Sequence, residues 1–283
     1  VDVFLIGDGE ELLPQVVKMR RVGQSKEEYL KEICSLPGVY IPRFYQPEYK
    51  EDGTLLRMKR LYEGAPQQIR RALVQDLDGT PFQTEPIVPF IETVHDRAVV
   101  ETFRGCTRGC RFCQAGMIYR PVRERSLETI RELARKQLDS TGHEELSLLS
   151  LSTSDYSRFE ELALDLMNTC KERNVSLSLP SLRLDSFSFK VLEEIQGYKK
   201  SGLTFAPEAG SQRLRDVINK GITEDDIYRS VREALSLGWN HVKLYFMIGL
   251  PTETEADLDG IAQIAKKIKE INYELKGRKG GRF

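Results

Sequence analysis

Short apolar segments alternate with amphipathic helical patterns from Val99 to near the end of the chain. The pattern predicts strands at 98–103, 145–152, 175–180, 202–206 and 241–248, and helices at 126–138, 158–172, 187–196, 211–219 with 224–237, and 255–271. This spacing is typical of consecutive strand–helix–strand units, which build a parallel sheet. We therefore predict an α/β fold for residues 96–283 and expect its functional groups at the carboxyl edge of the sheet.

A loop with three thiols follows the first predicted strand. Residues 104–113 read Arg-Gly-Cys-Thr-Arg-Gly-Cys-Arg-Phe-Cys and place Cys106, Cys110 and Cys113 close together. Soft thiolates in one loop suit an iron–sulfur cluster or zinc. A structural zinc takes four protein ligands, and the next cysteine or histidine is His143. A zinc loop and three packed cysteines stay open as alternatives on the residues alone.

The C-x3-C-x2-C spacing, with the aromatic Phe112 before the last cysteine, resembles the radical S-adenosylmethionine (radical SAM) superfamily. The resemblance implies that Cys106, Cys110 and Cys113 bind a [4Fe–4S] cluster whose open iron chelates the amino and carboxylate groups of SAM. It further implies reductive cleavage of SAM to a 5′-deoxyadenosyl radical, chemistry that belongs mostly to the cofactor. The implied fold is a partial (β/α)6 TIM-like barrel, of which five strands are countable here.

Polar residues end the second and third predicted strands. At the second, the family often has Gly-Gly-Glu for the SAM amino group, whereas this chain has Ser152, Ser154 and Asp155. The two serine hydroxyls are the candidate acceptors, and a turn that caps the next helix is the alternative. Arg183 and Asp185 follow the third strand on one face. We expect Arg183 to bind a carboxylate or the ribose, or else to form a salt bridge with Asp185.

The fourth and fifth strands end in two further stretches that resemble the family. Glu208 and Ser211 lie in a Glu-x-Gly-Ser stretch, which in the family lies beside SAM. Ser211 is equally expected to cap the following helix. Residues 249–254 read Gly-Leu-Pro-Thr-Glu-Thr, and the resemblance implies that Gly249 and Pro251 contact the adenine together with Phe112.

The three-thiol loop and its return segment are rich in arginine. Six arginines lie between residues 104 and 125: Arg104, Arg108, Arg111, Arg120, Arg123 and Arg125. Such a cluster either holds an anionic substrate or a nucleic-acid backbone, or it forms a solvated loop that also supplies partners for the SAM carboxylate. Cys170 falls on the apolar face of a predicted helix, and Cys34 is expected to be a core or surface thiol.

Residues 1–95 are predicted to be an α+β linker region. The strand at 1–6 and the following Gly-Asp-Gly-Glu resemble the tail of a cobalamin-binding-like domain, so cobalamin is expected only through a domain upstream. Extended runs at 39–45 and 54–62 flank Asp52-Gly53 and predict a hairpin. The glycine-rich stretch 277–283 looks like the lead-in to a sixth strand, and we expect the chain to be a piece of a longer protein.

The net charge of −1 at 30% charged residues gives no global field for a polyanionic partner. No apolar run reaches the ~18 residues of a membrane span. Five cysteines, three of them clustered, do not suggest a disulfide framework, and an iron–sulfur site favours a reducing, cytoplasmic compartment. The expected function is that of a radical SAM enzyme core. It would act with a flavodoxin- or ferredoxin-type electron donor on RNA, protein or a small molecule. A non-catalytic iron–sulfur or zinc module for assembly or electron transfer is the alternative.

Overall fold

The structure, a computed structural model, describes residues 1–91, 93–180, 183, 189–196 and 203–277. The chain divides into two compact units, Val1–Pro81 and Phe82–Phe283. Asp185 and most of the expected lead-in at 277–283 lie outside the described residues. The assignment of residues 1–95 to a linker region and of 96–283 to a radical SAM core stays a prediction.

The first unit packs two helices against short strands. Its elements are β1 (Phe4–Leu5), α1 (Gly9–Lys18), α2 (Lys26–Ile33), β2 (Val39–Tyr40), β3 (Tyr45–Tyr49) and β4 (Leu55–Arg60). Helix α2 begins after Ser25, because Ser25 Oγ accepts from Glu28 N and the Glu28 carboxylate accepts from Ser25 N. Such a capping box satisfies two otherwise orphaned N–H donors. Leu30 and Ile33 then reach the buried core of this unit.

The prediction of one continuous extended run at 39–45 is wrong, because a turn interrupts it. Strand β2 ends at Tyr40 and pairs antiparallel with β1, and the 3-10 turn Pro42–Phe44 separates it from β3. Strand β3 pairs antiparallel with β4 and forms the hairpin expected around Asp52-Gly53. Proline favours the first position of a helical turn and cannot donate to a strand ladder. Pro42 therefore divides the run between two different sheets.

The second unit contains the strand–helix alternation that the sequence predicts. Its elements are β5 (Ala98–Glu101), β6 (Phe103–Arg104), α3 (Ala115–Ile118), β7 (Arg123–Glu124), α4 (Leu127–Thr141), β8 (Glu145–Leu149), α5 (Phe159–Arg173), β9 (Ser176–Ser178), α6 (Phe189–Gln196), β10 (Leu203–Glu208), α7 (Gln212–Val217), α8 (Glu224–Ser236), β11 (Val242–Phe246) and α9 (Glu255–Lys276). The five predicted strands correspond to β5, β8, β9, β10 and β11.

The long strands of the second unit run parallel. Strand β8 pairs with β5 on one side and with β9 on the other, and β10 pairs with β11. Their apolar faces pack against helices in one large buried cluster that includes Leu146, Leu177 and Phe205. Over the described ranges these parallel strands form two sheets, β5-β8-β9 and β10-β11, and no closed barrel. The architecture is the partial, TIM-like barrel that the sequence predicts.

Short polar side chains fix the first residues of several helices that follow the strands. Thr223 Oγ1 accepts from Asp226 N and the Asp226 carboxylate accepts from Thr223 N, so α8 begins at Glu224, the first residue of the predicted helix 224–237. Gly210, in the turn after β10, packs directly on Gly260 of α9. A Cβ at residue 260 would lie 2.6 Å from Gly210 O, so neither position has room for a side chain. No helix in the described part of the chain is long and apolar enough to span a bilayer.

Candidate active site

The three-thiol loop is closed at its base by its own strands. Strands β6 and β7 pair antiparallel, with Phe103 opposite Glu124 and Arg104 opposite Arg123. Gly105 opens the loop with φ of +93°, and a Cβ there would lie 2.6 Å from Tyr119 O. Only glycine tolerates both the left-handed backbone and this close approach. Backbone pairing therefore holds the two ends of the loop together.

Side chains then hold the loop from two sides. On its own return segment, the Arg120 guanidinium donates to the carbonyl oxygens of Cys106, Thr107 and Arg108 at 3.0–3.3 Å. On the far side, Asn219 Nδ2 donates to Gly109 O at 2.8 Å.

The loop backbone also reaches the end of α7. Arg111 N donates to Ile218 O at 2.9 Å, and the Arg111 guanidinium donates to Val217 O. A cation at a helix carboxyl end is favoured by the helix dipole. These contacts fix the loop over the carboxyl edge of β10.

The three thiols line one cavity of about 280 Å³ at the carboxyl ends of the strands. The predicted site residues on its wall are Cys106, Cys110, Phe112, Cys113, Ser152, Arg183 and Glu208. In the described part of the chain, no three His, Cys, Asp or Glu side chains converge on a position for a single ion. The cavity thus brings together groups from the loop and from the second, third and fourth strands.

Four predicted residues are not on this wall. Ser154 Oγ accepts from Arg183 N at 3.0 Å, and Ser211 Oγ caps α7 by accepting from Leu214 N at 3.1 Å. Gly249, with φ of +86°, donates its N–H to Glu253, and Pro251 is exposed. The expected contacts of Ser154, Ser211, Gly249 and Pro251 with SAM stay predictions.

Ser152 and Asp155 lie at the end of the second predicted strand, where the sequence predicts a contact to SAM. Asp155 ends the 3-10 turn Thr153–Asp155, which Ser152 directly precedes, and neither residue caps α5, which begins at Phe159 without a side-chain cap. Ser152 is 3% exposed and its hydroxyl makes no well-formed hydrogen bond within the described ranges, although it lies close to Asp155. A buried hydroxyl on a cavity wall without such a bond is suited to a ligand.

Asp155 is bound by Arg108 of the three-thiol loop, whose Nε lies 3.0 Å from Asp155 Oδ2. Burial raises the pKa of Asp155, but the Arg108 hydrogen bonds and the nearby Ser152 hydroxyl outweigh it, so the net pKa is lowered. The carboxylate is therefore charged near neutral pH. It ties the loop to the end of the second predicted strand.

Glu208 stands on the opposite wall with a left-handed backbone, φ of +70°. A non-glycine residue in this conformation is strained, and such strain is concentrated at functional sites. Lys220 Nζ lies 3.2 Å from Glu208 Oε1 and 5.9 Å from the centre of the Phe112 ring. Both charged side chains are mostly buried. The site thus contains an ion pair beside the aromatic ring of the loop.

Lys220 lines the cavity but was not predicted as a site residue, whereas Arg108, which also lines it, was predicted only as a member of the arginine cluster. The backbone at Asn219 and Gly221 is left-handed on both sides of Lys220, with φ of +53° and +65°. Asn and Gly are the residues that adopt this conformation most readily. The sequence Asn-Lys-Gly was therefore an available signal for a tight reversal at this point.

All six arginines of the loop region make intramolecular contacts. Arg104 and Arg125 contact Glu101, Arg108 contacts Asp155, Arg111 and Arg120 bind backbone carbonyls, and Arg123 is buried. These contacts favour the interpretation that the arginines reinforce the loop, and they argue against a surface that binds nucleic acid. The remaining thiols lie elsewhere: Cys170 is fully buried, and burial raises its pKa to about 11.

The family model for the radical SAM superfamily matches residues 100–265, more than half of the chain. The chain belongs to this superfamily. Its members bind a [4Fe–4S] cluster and SAM, need a reductant and are enzymes.

Two curated relatives are similar to the chain. An uncharacterised protein of Methanocaldococcus jannaschii is 38% identical over 172 residues, which cover 61% of this chain and 37% of that protein. An uncharacterised methyltransferase of Pyrococcus horikoshii is 26% identical over 278 residues, covering 96% of this chain and 54% of that protein. The chain therefore spans about half or less of the length of these relatives.

A solved structure shares the fold. It is the radical SAM methyltransferase TsrM from Kitasatospora setae, with cobalamin and a [4Fe–4S] cluster bound. The TM-score is 0.63 at 14% identity, and the match covers 95% of this chain and 51% of that one.

Proposed function

We propose that this chain is the core of a radical SAM enzyme in which Cys106, Cys110 and Cys113 hold a [4Fe–4S] cluster. When bound, the cluster supplies the electron that cleaves SAM to a 5′-deoxyadenosyl radical for modification of a substrate. The observation that carries the proposal is the shared cavity, where three loop thiols face the strand-end residues Ser152 and Glu208. Thiolates are the protein ligands that iron–sulfur clusters use.

The other wall residues have distinct expected roles toward SAM. The buried Ser152 hydroxyl would accept from the amino group, helped by the negative charge of Asp155 nearby. The Arg183 guanidinium donates to Lys220 O at 3.2 Å on the cavity wall, and we expect it to bind a carboxylate or ribose oxygen. Glu208 would accept from hydroxyl groups, and Phe112 offers a ring face to adenine. The loop contacts of Arg108 and Arg120 keep the thiols in place while ligands exchange.

The protein is further proposed to work in the cytoplasm with a flavodoxin- or ferredoxin-type electron donor. Its substrate would be RNA, a protein or a small molecule. Methyl transfer is one candidate outcome, because the Pyrococcus horikoshii relative is named a methyltransferase. A cobalamin-dependent reaction would need cobalamin from a domain outside this chain.

Anaerobic reconstitution tests the proposal. Wild-type protein should take up about four irons per chain and absorb broadly in the visible range. Replacing any one of the loop cysteines should abolish the cluster, in the variants Cys106→Ala, Cys110→Ala and Cys113→Ala. The control variants Cys34→Ala and Cys170→Ala change cysteines outside the loop and should retain the cluster. Tight zinc binding without iron uptake would contradict the proposal and favour the structural alternative.

Adding SAM to the reduced, reconstituted protein separates the enzyme from an electron-transfer module. SAM bound at the open iron should change the electron paramagnetic resonance spectrum of the cluster, and 5′-deoxyadenosine should form. An unchanged spectrum at saturating SAM, with the cluster intact, would favour the non-catalytic module.

A further inference from the structure

The inner face of sheet β10–β11 carries a lysine that the proposed cofactor chemistry does not use. Phe205 and Leu244 are paired neighbours, and both pack toward the helices in the main core. Side chains alternate along a strand. Lys243 and Tyr245 therefore point to the opposite face, the face from which Ala206 lines the thiol cavity.

Lys243 is exposed on that face and has no carboxylate partner among the described residues. Its Nζ lies 4.8 Å from the centre of the Tyr245 ring, a cation–π contact. Its cross-strand neighbour on the same face is Thr204, which is also exposed and offers a hydroxyl. The face thus presents a cation, a hydroxyl and an aromatic ring side by side.

The other cations near the cavity already have partners. Lys220 is paired with Glu208, Arg108 with Asp155, and the Arg183 guanidinium donates to a backbone carbonyl. Lys243 therefore differs from Lys220 and Arg108, because it is not neutralised by a carboxylate among the described residues.

The positions along the strands separate Lys243 from the thiols. Lys243 lies opposite Thr204, four residues before Glu208, and four residues of a strand span about 13 Å. Between the two levels this face carries Ala206 of β10 and the exposed ring of Tyr245 of β11, which are both apolar. A ligand that reaches from the cavity to Lys243 is therefore elongated, apolar in its middle and anionic at its far end.

We propose that Lys243, with Thr204 and Tyr245, binds the anionic group of the substrate, a carboxylate or a phosphate monoester several bonds from the reacting atom. This inference rests on the proposed radical SAM function, because it places the reacting end of the substrate at the thiol cavity. It adds a recognition site on β11 that is separate from the groups expected to hold the cluster and SAM.

The test uses hexanoate and hexyl phosphate as anionic probes and hexanamide as the neutral counterpart, with dissociation constants measured on the cluster-loaded protein by ligand-observed NMR. Wild-type protein should bind at least one anion about tenfold more tightly than hexanamide, as expected for one charged contact. Lys243→Gln should remove this preference, and Lys243→Arg should keep most of it. Lys266→Gln, an exposed lysine of α9, should have no effect. The two anions distinguish a carboxylate from a phosphate site.

Equal binding of anion and amide to wild-type protein, no measurable binding of either anion, or an unchanged preference in Lys243→Gln would overturn the inference. Iron content and 5′-deoxyadenosine formation are measured on the same samples. Normal cluster loading and SAM cleavage without anion preference would reject only the Lys243 site. Loss of cluster or cleavage would reject the proposed function, whatever the probes do.

Discussion

Ser154 Oγ accepts a hydrogen bond from the Arg183 backbone N–H at 3.0 Å, and this contact joins the end of the second predicted strand to the end of the third. Ser152, two residues earlier, is also buried but has no such bond within the described ranges. The two serines of one turn are therefore expected to differ in what they do.

Substitution of these two serines should separate stability from ligand binding. Ser154→Ala should lower the free energy of unfolding by about 1 kcal/mol, because it removes the acceptor of the half-buried Arg183 N–H. Ser152→Ala should leave the urea midpoint unchanged or raise it slightly, yet weaken SAM binding. Urea titrations and SAM affinities of the two variants give the comparison, and a larger stability loss in Ser152→Ala would refute it.

Substitutions of Glu208 and Lys220 should have strongly non-additive effects on the free energy of unfolding. Lys220→Met leaves a mostly buried carboxylate without its cation and should cost about 3 kcal/mol of stability. The double variant Glu208→Gln/Lys220→Met should cost less than Lys220→Met alone, because no uncompensated charge remains. The exposed pair Lys267–Glu270 serves as a control, with coupling near zero. Additive costs at Glu208 and Lys220 would show that the pair does not interact.

Asp155 should make the anchoring of the loop depend on pH. Its folded-state pKa is lowered, so its contribution to stability is present above the unfolded pKa of about 3.9 and is lost as pH falls through the folded value. The urea midpoint of wild-type protein should exceed that of Asp155→Asn at neutral pH. The difference should shrink below about pH 4, where wild-type Asp155 also becomes neutral. A difference that does not change with pH would contradict the assigned charge.

The Gly210–Gly260 contact predicts an unusual response to alanine. In an ordinary helix interior, Gly→Ala stabilises by about 1 kcal/mol. Gly260→Ala should instead destabilise by about 2 kcal/mol, because its Cβ would lie 2.6 Å from Gly210 O. Gly9→Ala, at the start of α1 with open space around it, is the matched control and should be neutral or stabilising. Thermal unfolding of both variants checks the sign.

Local signals account for the parts of the structure that the sequence predicts well. Thr223 and Asp226 indicate the start of α8 in the sequence, because a capping box needs only residues within one turn of each other. The cysteine spacing likewise identifies the loop without knowledge of its surroundings. Pro42 was the signal that should have divided the run at 39–45, since a proline inside an apparent strand argues against a continuous ladder.

Long-range partners account for what the sequence could not provide. Asp155 is 47 residues from Arg108, and nothing near either residue indicates that they pair. Lys220 reaches the cavity only because α7 packs beside the loop and the chain reverses at Asn219 and Gly221. The sequence shows Ser152 and Ser154 as two similar hydroxyls of one turn. Only the three-dimensional arrangement shows that Ser154 binds the Arg183 N–H, whereas Ser152 makes no well-formed bond within the described ranges.

The hydrogen bond from Asn219 to Gly109 O spans 110 residues of sequence. During synthesis, the cysteines leave the ribosome long before the segment that supports the far side of their loop. Until that segment has emerged and folded, the thiols are exposed to stray metal ions and oxidants without their full scaffold. Delivery of iron to this protein is therefore expected to follow translation of Asn219, and a chain stalled before that residue should be a poor acceptor for the cell's cluster-assembly machinery.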